Sequence, residues 1–123
     1  MKRCLPILTM AVFLVCAQLA FSQEDMKTIA PDAFGTLTRP AATFAHDQHN
    51  EKAGLECKDC HHGGSNGVKD VESTTEGTPC ADCHAVQPAK GATNLNRAYH
   101  QQCIRCHEEK GKGPLACGQC HVR

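Results

Sequence analysis

The fold of this chain is decided by residues 57–62, which read Cys57-Lys58-Asp59-Cys60-His61-His62. Two thiols three positions apart, followed at once by an imidazole, are typical of covalent attachment of a c-type haem. The thiols add to the two vinyl groups of the porphyrin, and His61 ligates the iron from the proximal side. Adjacent side chains point in different directions, so His62 is predicted to serve a second haem.

The same five-residue pattern occurs four times between residues 57 and 121. Four repeats in so short a stretch leave little room for chance and predict four covalent haems with their irons. The thiols that would hold them are Cys57, Cys60, Cys80, Cys83, Cys103, Cys106, Cys117 and Cys120. The imidazole that ends each copy is His61, His84, His107 or His121.

The number of histidines predicts how the haem irons are ligated, and the ligation in turn predicts what the haems do. The chain has eight, and the four outside the proximal positions are His46, His49, His62 and His100. Eight imidazoles and four irons predict two histidines on every iron, and Met26 is the only thioether after residue 22. Such irons have low potentials and no vacant position for a substrate, so we expect an electron-transfer protein without catalytic residues.

The apolar content is too low for a core built from side chains. Leu, Ile, Val and Phe make up 12 of residues 23–123, about 12%, below the roughly 20% that marks disordered chains. Four flat porphyrins would fill the core instead. We therefore expect a small, mostly irregular fold with short α-helices and a minor N-terminal β-hairpin, wrapped around four haems.

Residues 1–22 resemble a secretory signal peptide. Lys2 and Arg3 precede an apolar run over 7–19, and Ala20-Phe21-Ser22 resembles a cleavage site. Cleavage would leave one tetrahaem domain, 23–123, exported to the periplasm.

Two other interpretations of this leader are weaker. The apolar run is short for a retained membrane anchor, and Gln18 interrupts it. Cys16 suggests a lipoprotein, but Val15 stands where that processing needs a small residue.

Local patterns predict few regular elements. The best helix covers 94–109 and is ended by Gly111-Lys112-Gly113-Pro114. His46 and His49, three positions apart, share one face of a helical turn. Two surface loops and two short extended segments complete the prediction: 63–79, 86–93, 35–38 and 42–45.

Three alternatives use the same residue types. Pairs of Cys-x-x-Cys can bind zinc, but a zinc module gives no reason for a histidine after every pair. Eight cysteines also suit a secreted disulfide scaffold. A multihaem reductase acting on a metal or nitrite would need an open iron, which the histidine count opposes.

The chain resembles the tetrahaem cytochrome c3 family, also called class III cytochromes c. The resemblance rests on Phe44-Ala45-His46-Asp47-Gln48-His49, on residues 57–62 and on Tyr99-His100 before the third motif. It implies His46 and His61 on the first haem, His62 and His84 on the second, His49 and His107 on the third, and His100 and His121 on the fourth.

The resemblance also implies a low-potential periplasmic carrier in anaerobic respiration. Such a monomer passes electrons between a hydrogenase or other dehydrogenase and membrane redox complexes, without nucleic acid and without stable membrane insertion after cleavage. This chain departs from the lysine-rich members: residues 23–123 hold 11 Lys and Arg against 13 Asp and Glu, because Lys2 and Arg3 lie in the leader. We therefore expect the acidic, lysine-poor branch of the family, with membrane complexes as partners.

Overall fold

The computed structural model describes residues 26–65 and 68–123, so the predicted signal peptide lies outside the described residues. The helices are α1 (His46–Ala53), α2 (Cys57–Cys60), α3 (Leu95–Lys110) and α4 (Cys117–Cys120). The strands are β1 (Thr28–Ile29), β2 (Ala42–Thr43), β3 (His62–Ser65) and β4 (Val68–Thr74), and 3-10 turns cover Asp32–Phe34 and Cys80–Asp82. The predicted class of fold, small and irregular with short helices, is confirmed.

The predicted N-terminal hairpin is present, but its first strand is β1 and not the segment predicted at 35–38. β1 pairs antiparallel with β2, with Thr28 opposite Thr43 and Ile29 opposite Ala42. The expectation of an extended segment at 35–38 is wrong, because Gly35 closes the 3-10 turn with φ +62° and donates its N–H to the Asp32 carbonyl. That left-handed backbone does not continue as a strand.

The loop predicted over 63–79 is wrong for most of its length. β3 and β4 pair antiparallel from His62 opposite Thr74 to Ser65 opposite Val68. A Cβ at Gly63 would collide with the Ser73 hydroxyl, and one at Gly64 would collide with the Val68 carbonyl. Two of the glycines that suggested a loop, Gly63 and Gly64, are therefore the residues that let the two strands approach closely.

The helix predicted over 94–109 is confirmed as α3. The Asn94 side chain caps its start by accepting a hydrogen bond from the Arg97 N–H at 2.8 Å. Gly111, with φ +62°, ends it and donates its N–H to carbonyls of the last turn.

The helical turn predicted for His46 and His49 is confirmed as part of α1. Two backbone hydrogen bonds fix its start beside β1: the Phe44 N–H donates to the Lys27 carbonyl at 2.8 Å, and the His46 N–H donates to the Met26 carbonyl at 3.1 Å. Both imidazoles therefore extend from a helix whose first turn is held in place by these hydrogen bonds.

Apolar side chains contribute very little interior. Of the described residues, Leu95 alone is a fully buried hydrophobic, with no exposed surface, whereas Val68 is 72% exposed and Leu115 is 50% exposed. No helix in the described ranges has the length and apolar character needed to cross a bilayer. Side-chain packing alone does not account for a stable fold.

We predict that the haem-free chain does not fold. A single buried leucine supplies a few kcal/mol at most, about 2–5, far less than the entropy lost on ordering the chain. Circular dichroism during heating should show a gradual change for haem-free protein and a cooperative transition for the haem-loaded protein. A cooperative melt of the haem-free chain would contradict this.

Candidate metal centres

The structure brings all eight histidines together in four facing pairs. The ring centroids of His46 and His61 are 6.3 Å apart. The other three pairs have centroids 6.2 Å apart: His49 with His107, His62 with His84, and His100 with His121. These are the pairs that the family resemblance assigns to the four irons, and each contains one histidine of a Cys-x-x-Cys-His motif.

The separation suits one metal ion between two rings. A metal–nitrogen bond is about 2 Å long and an imidazole centroid lies roughly 1 Å behind its nitrogen, so two rings on opposite sides of a metal have centroids about 6 Å apart. Two rings joined by a direct hydrogen bond would stand about 5 Å apart. The observed pairs match the metal-bridged distance.

Hydrogen bonds fix the orientation of six of the rings through Nδ1. Five donate to backbone carbonyls: His62 to Gly63, His84 to Thr93, His100 to Asn96, His107 to Pro114 and His121 to Pro40. The sixth, His46, donates to a carboxylate oxygen of Asp47 at 2.9 Å. A carbonyl oxygen can only accept, so Nδ1 must carry the proton. Nε2 then keeps its lone pair, as a metal ligand requires.

Phe44 supports both histidines of α1. Its ring centroid lies 6.0 Å from that of His46 and 5.1 Å from that of His49. Burial, with a smaller contribution from His107, lowers the pKa of His49 below its usual range. His49 is therefore neutral at pH 7 and competent to bind a metal ion.

The motif cysteines lie on short elements directly before their histidines. Helix α2 begins at Cys57 and ends at Cys60, and α4 begins at Cys117 and ends at Cys120. Cys80 opens a 3-10 turn that ends before Cys83, and the third pair lies within α3. All eight thiols of the described residues are free, and so none is paired in a disulfide.

The donor geometry also argues against zinc. In residues 26–65 and 68–123, His, Cys, Asp and Glu side chains do not converge in groups of three or more that would hold a metal ion. A structural zinc site needs four such donors. Facing imidazole pairs with thiols nearby instead fit haem, whose porphyrin supplies the four equatorial ligands.

Long-range hydrogen bonds connect three of the four motifs to other parts of the site. Gln102 on α3 donates its side-chain N–H to the Asp59 carbonyl, which joins the third motif to the first. The Thr43 hydroxyl donates to the Cys120 carbonyl at 2.8 Å, joining β2 to the fourth motif. The pairs are therefore parts of one connected arrangement.

A family comparison decides what this arrangement belongs to. The model of the Class III cytochrome C family matches residues 22–121. The chain belongs to the class III cytochrome c family. Membership implies covalently bound haem c with its iron and a role in electron transfer.

Three curated relatives agree with this family. Cytochrome c7 of Geobacter metallireducens is 43% identical over 44 residues, which cover 36% of this chain and 49% of the relative. Cytochrome c3 of Desulfuromonas acetoxidans is 35% identical over 54 residues, covering 44% and 78%. The acrylate reductase cytochrome subunit of Shewanella woodyi is 33% identical over 90 residues, covering 62% and 71%. The matched part spans about half of the Geobacter protein.

One solved structure is also similar. PpcB, a cytochrome c7 from Geobacter sulfurreducens, is 27% identical, with a TM-score of 0.34 over 72% of this chain and 92% of that protein.

Sequence reasoning on the class III motifs missed residues that position the ligands. Pro40, Thr93 and Pro114 belong to no motif, and only the folded structure brings their carbonyls to an imidazole. The sequence pattern predicts only that Gly113 helps to end the helix. A Cβ on it would lie 2.5 Å from Cδ2 and 2.8 Å from Nε2 of His107, so its missing side chain makes room for that ring.

We predict that Gly113→Ala displaces His107 from its partner His49. The added methyl group overlaps the ring at the edge that carries Nε2, so one of the four haems should become high-spin. Visible and electron paramagnetic resonance spectra of the haem-loaded protein measure this change.

The matched control is Gly91→Ala. Gly91 has φ +92°, close to the +96° of Gly113, but a Cβ there meets no atom within 4 Å. Both variants share the cost of a strained backbone, about 1–3 kcal/mol, and Gly113→Ala alone has the overlap. Equal spectra from the two variants would contradict the prediction.

Proposed function

We propose that this protein is a periplasmic electron carrier that holds four c-type haems, each iron ligated by two histidines. The single observation that carries the proposal is the set of four imidazole pairs, with centroids 6.2–6.3 Å apart. The haem iron, once bound, supplies one-electron chemistry. The chain's own part would be to attach each porphyrin through two thiols and to hold two imidazoles where they can bind the iron.

The use of every histidine supports electron transfer over catalysis. Each proposed iron takes one motif histidine and one other, and none of the eight remains for another task. A six-coordinate iron has no position for nitrite or another substrate. The Shewanella relative is named a cytochrome subunit of a reductase, which fits the supply of electrons to a separate catalytic partner.

The closeness of the four sites supports exchange of electrons within the protein. His61 and His62 are adjacent in sequence and belong to two different pairs. His46 and His49 also belong to different pairs, and both contact Phe44. Neighbouring haems that share such supports would lie side by side, so an electron entering at one can move to the others.

The leader supports the proposed location of the protein, and the net charge supports the proposed partners. The leader, outside the described residues, would direct export and leave 23–123 as the working domain. That domain carries 11 Lys and Arg against 13 Asp and Glu, and haem propionates add negative charge. We propose a low-potential monomer of the lysine-poor branch that exchanges electrons with membrane redox complexes more readily than with a hydrogenase.

We predict four haems per chain in a pyridine haemochrome assay and four low-spin ferric signals. His62→Ala should make one haem high-spin, the one on Cys80 and Cys83, and should leave the other three low-spin. Gln48→Ala is the control, because Gln48 is exposed on α1 between two proposed ligands. Fewer than four haems, or a high-spin iron in the unaltered protein, would overturn the proposed ligation.

We also predict a weak dependence of hydrogenase electron transfer on salt. A nearly neutral to acidic surface gives little attraction toward an acidic partner, so the rate should change less than about threefold between low and physiological salt. Stopped-flow reduction by hydrogenase at several ionic strengths measures this rate. A steep fall with rising salt would indicate a basic docking site and would favour hydrogenase as the partner.

A further inference from the structure

One ligand histidine differs from the others in what its ring bonds to. Five of the six hydrogen-bonded imidazoles donate Nδ1–H to a neutral carbonyl, whereas His46 donates to Asp47 at 2.9 Å. Asp47 lies in the first turn of α1, directly beside the histidine that it contacts. In the described chain, this is the one imidazole with a carboxylate on its outer nitrogen.

We propose that Asp47 is a positioning residue that lowers the reduction potential of the haem held between His46 and His61. The inference rests on the proposed ligation of that iron by His46. Asp47 does not touch the iron, and it acts through the Nδ1–H···Oδ1 hydrogen bond.

The physical reason is electron donation through the ring. A carboxylate that accepts the Nδ1 proton makes Nε2 a stronger donor than a carbonyl does, and outer partners of this kind raise ligand basicity. A stronger donor stabilises ferric iron more than ferrous iron, because the ferric ion carries one more positive charge. Reduction adds one electron to the iron and breaks no bond, so the difference in ligand strength appears directly in the potential.

Burial allows the contact to be effective. The His46 side chain is 20% exposed and the Asp47 side chain is 41% exposed. Water screens part of the carboxylate charge, but the hydrogen bond is direct and largely covered on the imidazole side. We therefore expect a moderate effect on one haem.

The neighbouring histidine on the same helix provides an internal contrast. His49 lies three residues further along α1, contacts the same Phe44 ring and faces His107. Its buried Nδ1 forms no hydrogen bond to a carboxylate or a carbonyl in the described chain, and the side chain that interacts with its ring is the neutral Asn50. One helical turn thus carries one imidazole bonded to a carboxylate and one without a charged partner, so the two haems that they would serve receive different electronic support.

The test is a redox titration of the haem-loaded protein with each haem followed separately by NMR or electron paramagnetic resonance. Asp47→Asn keeps the size and an acceptor oxygen but removes the charge. It should favour reduction of the His46–His61 haem by about tenfold, equal to about 59 mV for one electron. The other three haems should shift less than about twofold.

Glu51→Gln is the matched control. Glu51 is exposed on α1, so this variant removes the same charge from the same helix without touching an imidazole. If Asp47→Asn shifts the first haem no more than Glu51→Gln does, or shifts all four haems equally, the hydrogen bond has no special role.

Spin state separates the failure of this inference from the failure of the proposed function. Four low-spin haems in every variant with an unchanged first potential overturn the role of Asp47 alone. Fewer than four low-spin haems in the unaltered protein would overturn the proposed ligation itself. If Asp47→Asn makes the first haem high-spin, a second variant is needed, and Asp47→Ser keeps a short uncharged acceptor. Asp47→Ser should raise the reduction potential of the first haem and leave that haem low-spin. If it does not, the inference is overturned.

Discussion

The structure depends on four gaps of one size between paired imidazoles. Centroid distances of 6.2–6.3 Å recur in four pairs formed by different elements. Edge-on packing also gives such distances, as between Phe44 and His46 at 6.0 Å. Chance packing would not join each motif histidine to one other histidine at the same separation four times. A metal ion between each pair explains the repetition. Because Leu95 is the single fully buried hydrophobic among the described residues, porphyrins bound in these gaps, as proposed, would take the place of a core.

The backbone around the gaps is irregular for a physical reason. A porphyrin needs two thiols and two imidazoles at fixed positions, and these can come from a 3-10 turn as well as from a helix. α2 and α4 are each only four residues long, too short to be stable alone. Backbone carbonyls that long helices would use internally are then free to accept Nδ1–H, as those of Pro40, Thr93 and Pro114 do. Irregularity therefore supplies the acceptors that orient the ligands.

The motifs predicted much of the site because the attachment chemistry is local. Cys-x-x-Cys-His needs only neighbouring residues, and α3 was predictable from Asn94 at its start and Gly111 at its end. Family resemblance was needed to say which histidines face each other, since those partners are up to 58 residues apart, as for His49 and His107. The β3–β4 hairpin was missed because its glycines and serines are typical of loops. Asn66-Gly67, which follows Ser65 in the sequence, is a dipeptide typical of hairpin turns.

A carrier with four identical sites would hold electrons without any preferred direction, so differences among the sites matter for function. The differences lie outside the motifs. His46 bonds to a carboxylate, five histidines of the other pairs bond to carbonyls at 2.6–3.1 Å, and the buried Nδ1 of His49 bonds to neither. The attachment motif recurs unchanged, whereas these outer partners are set by tertiary structure. Natural variation at such partners would retune individual haems and leave attachment intact, which makes position 47 a more informative place to compare relatives than the cysteines.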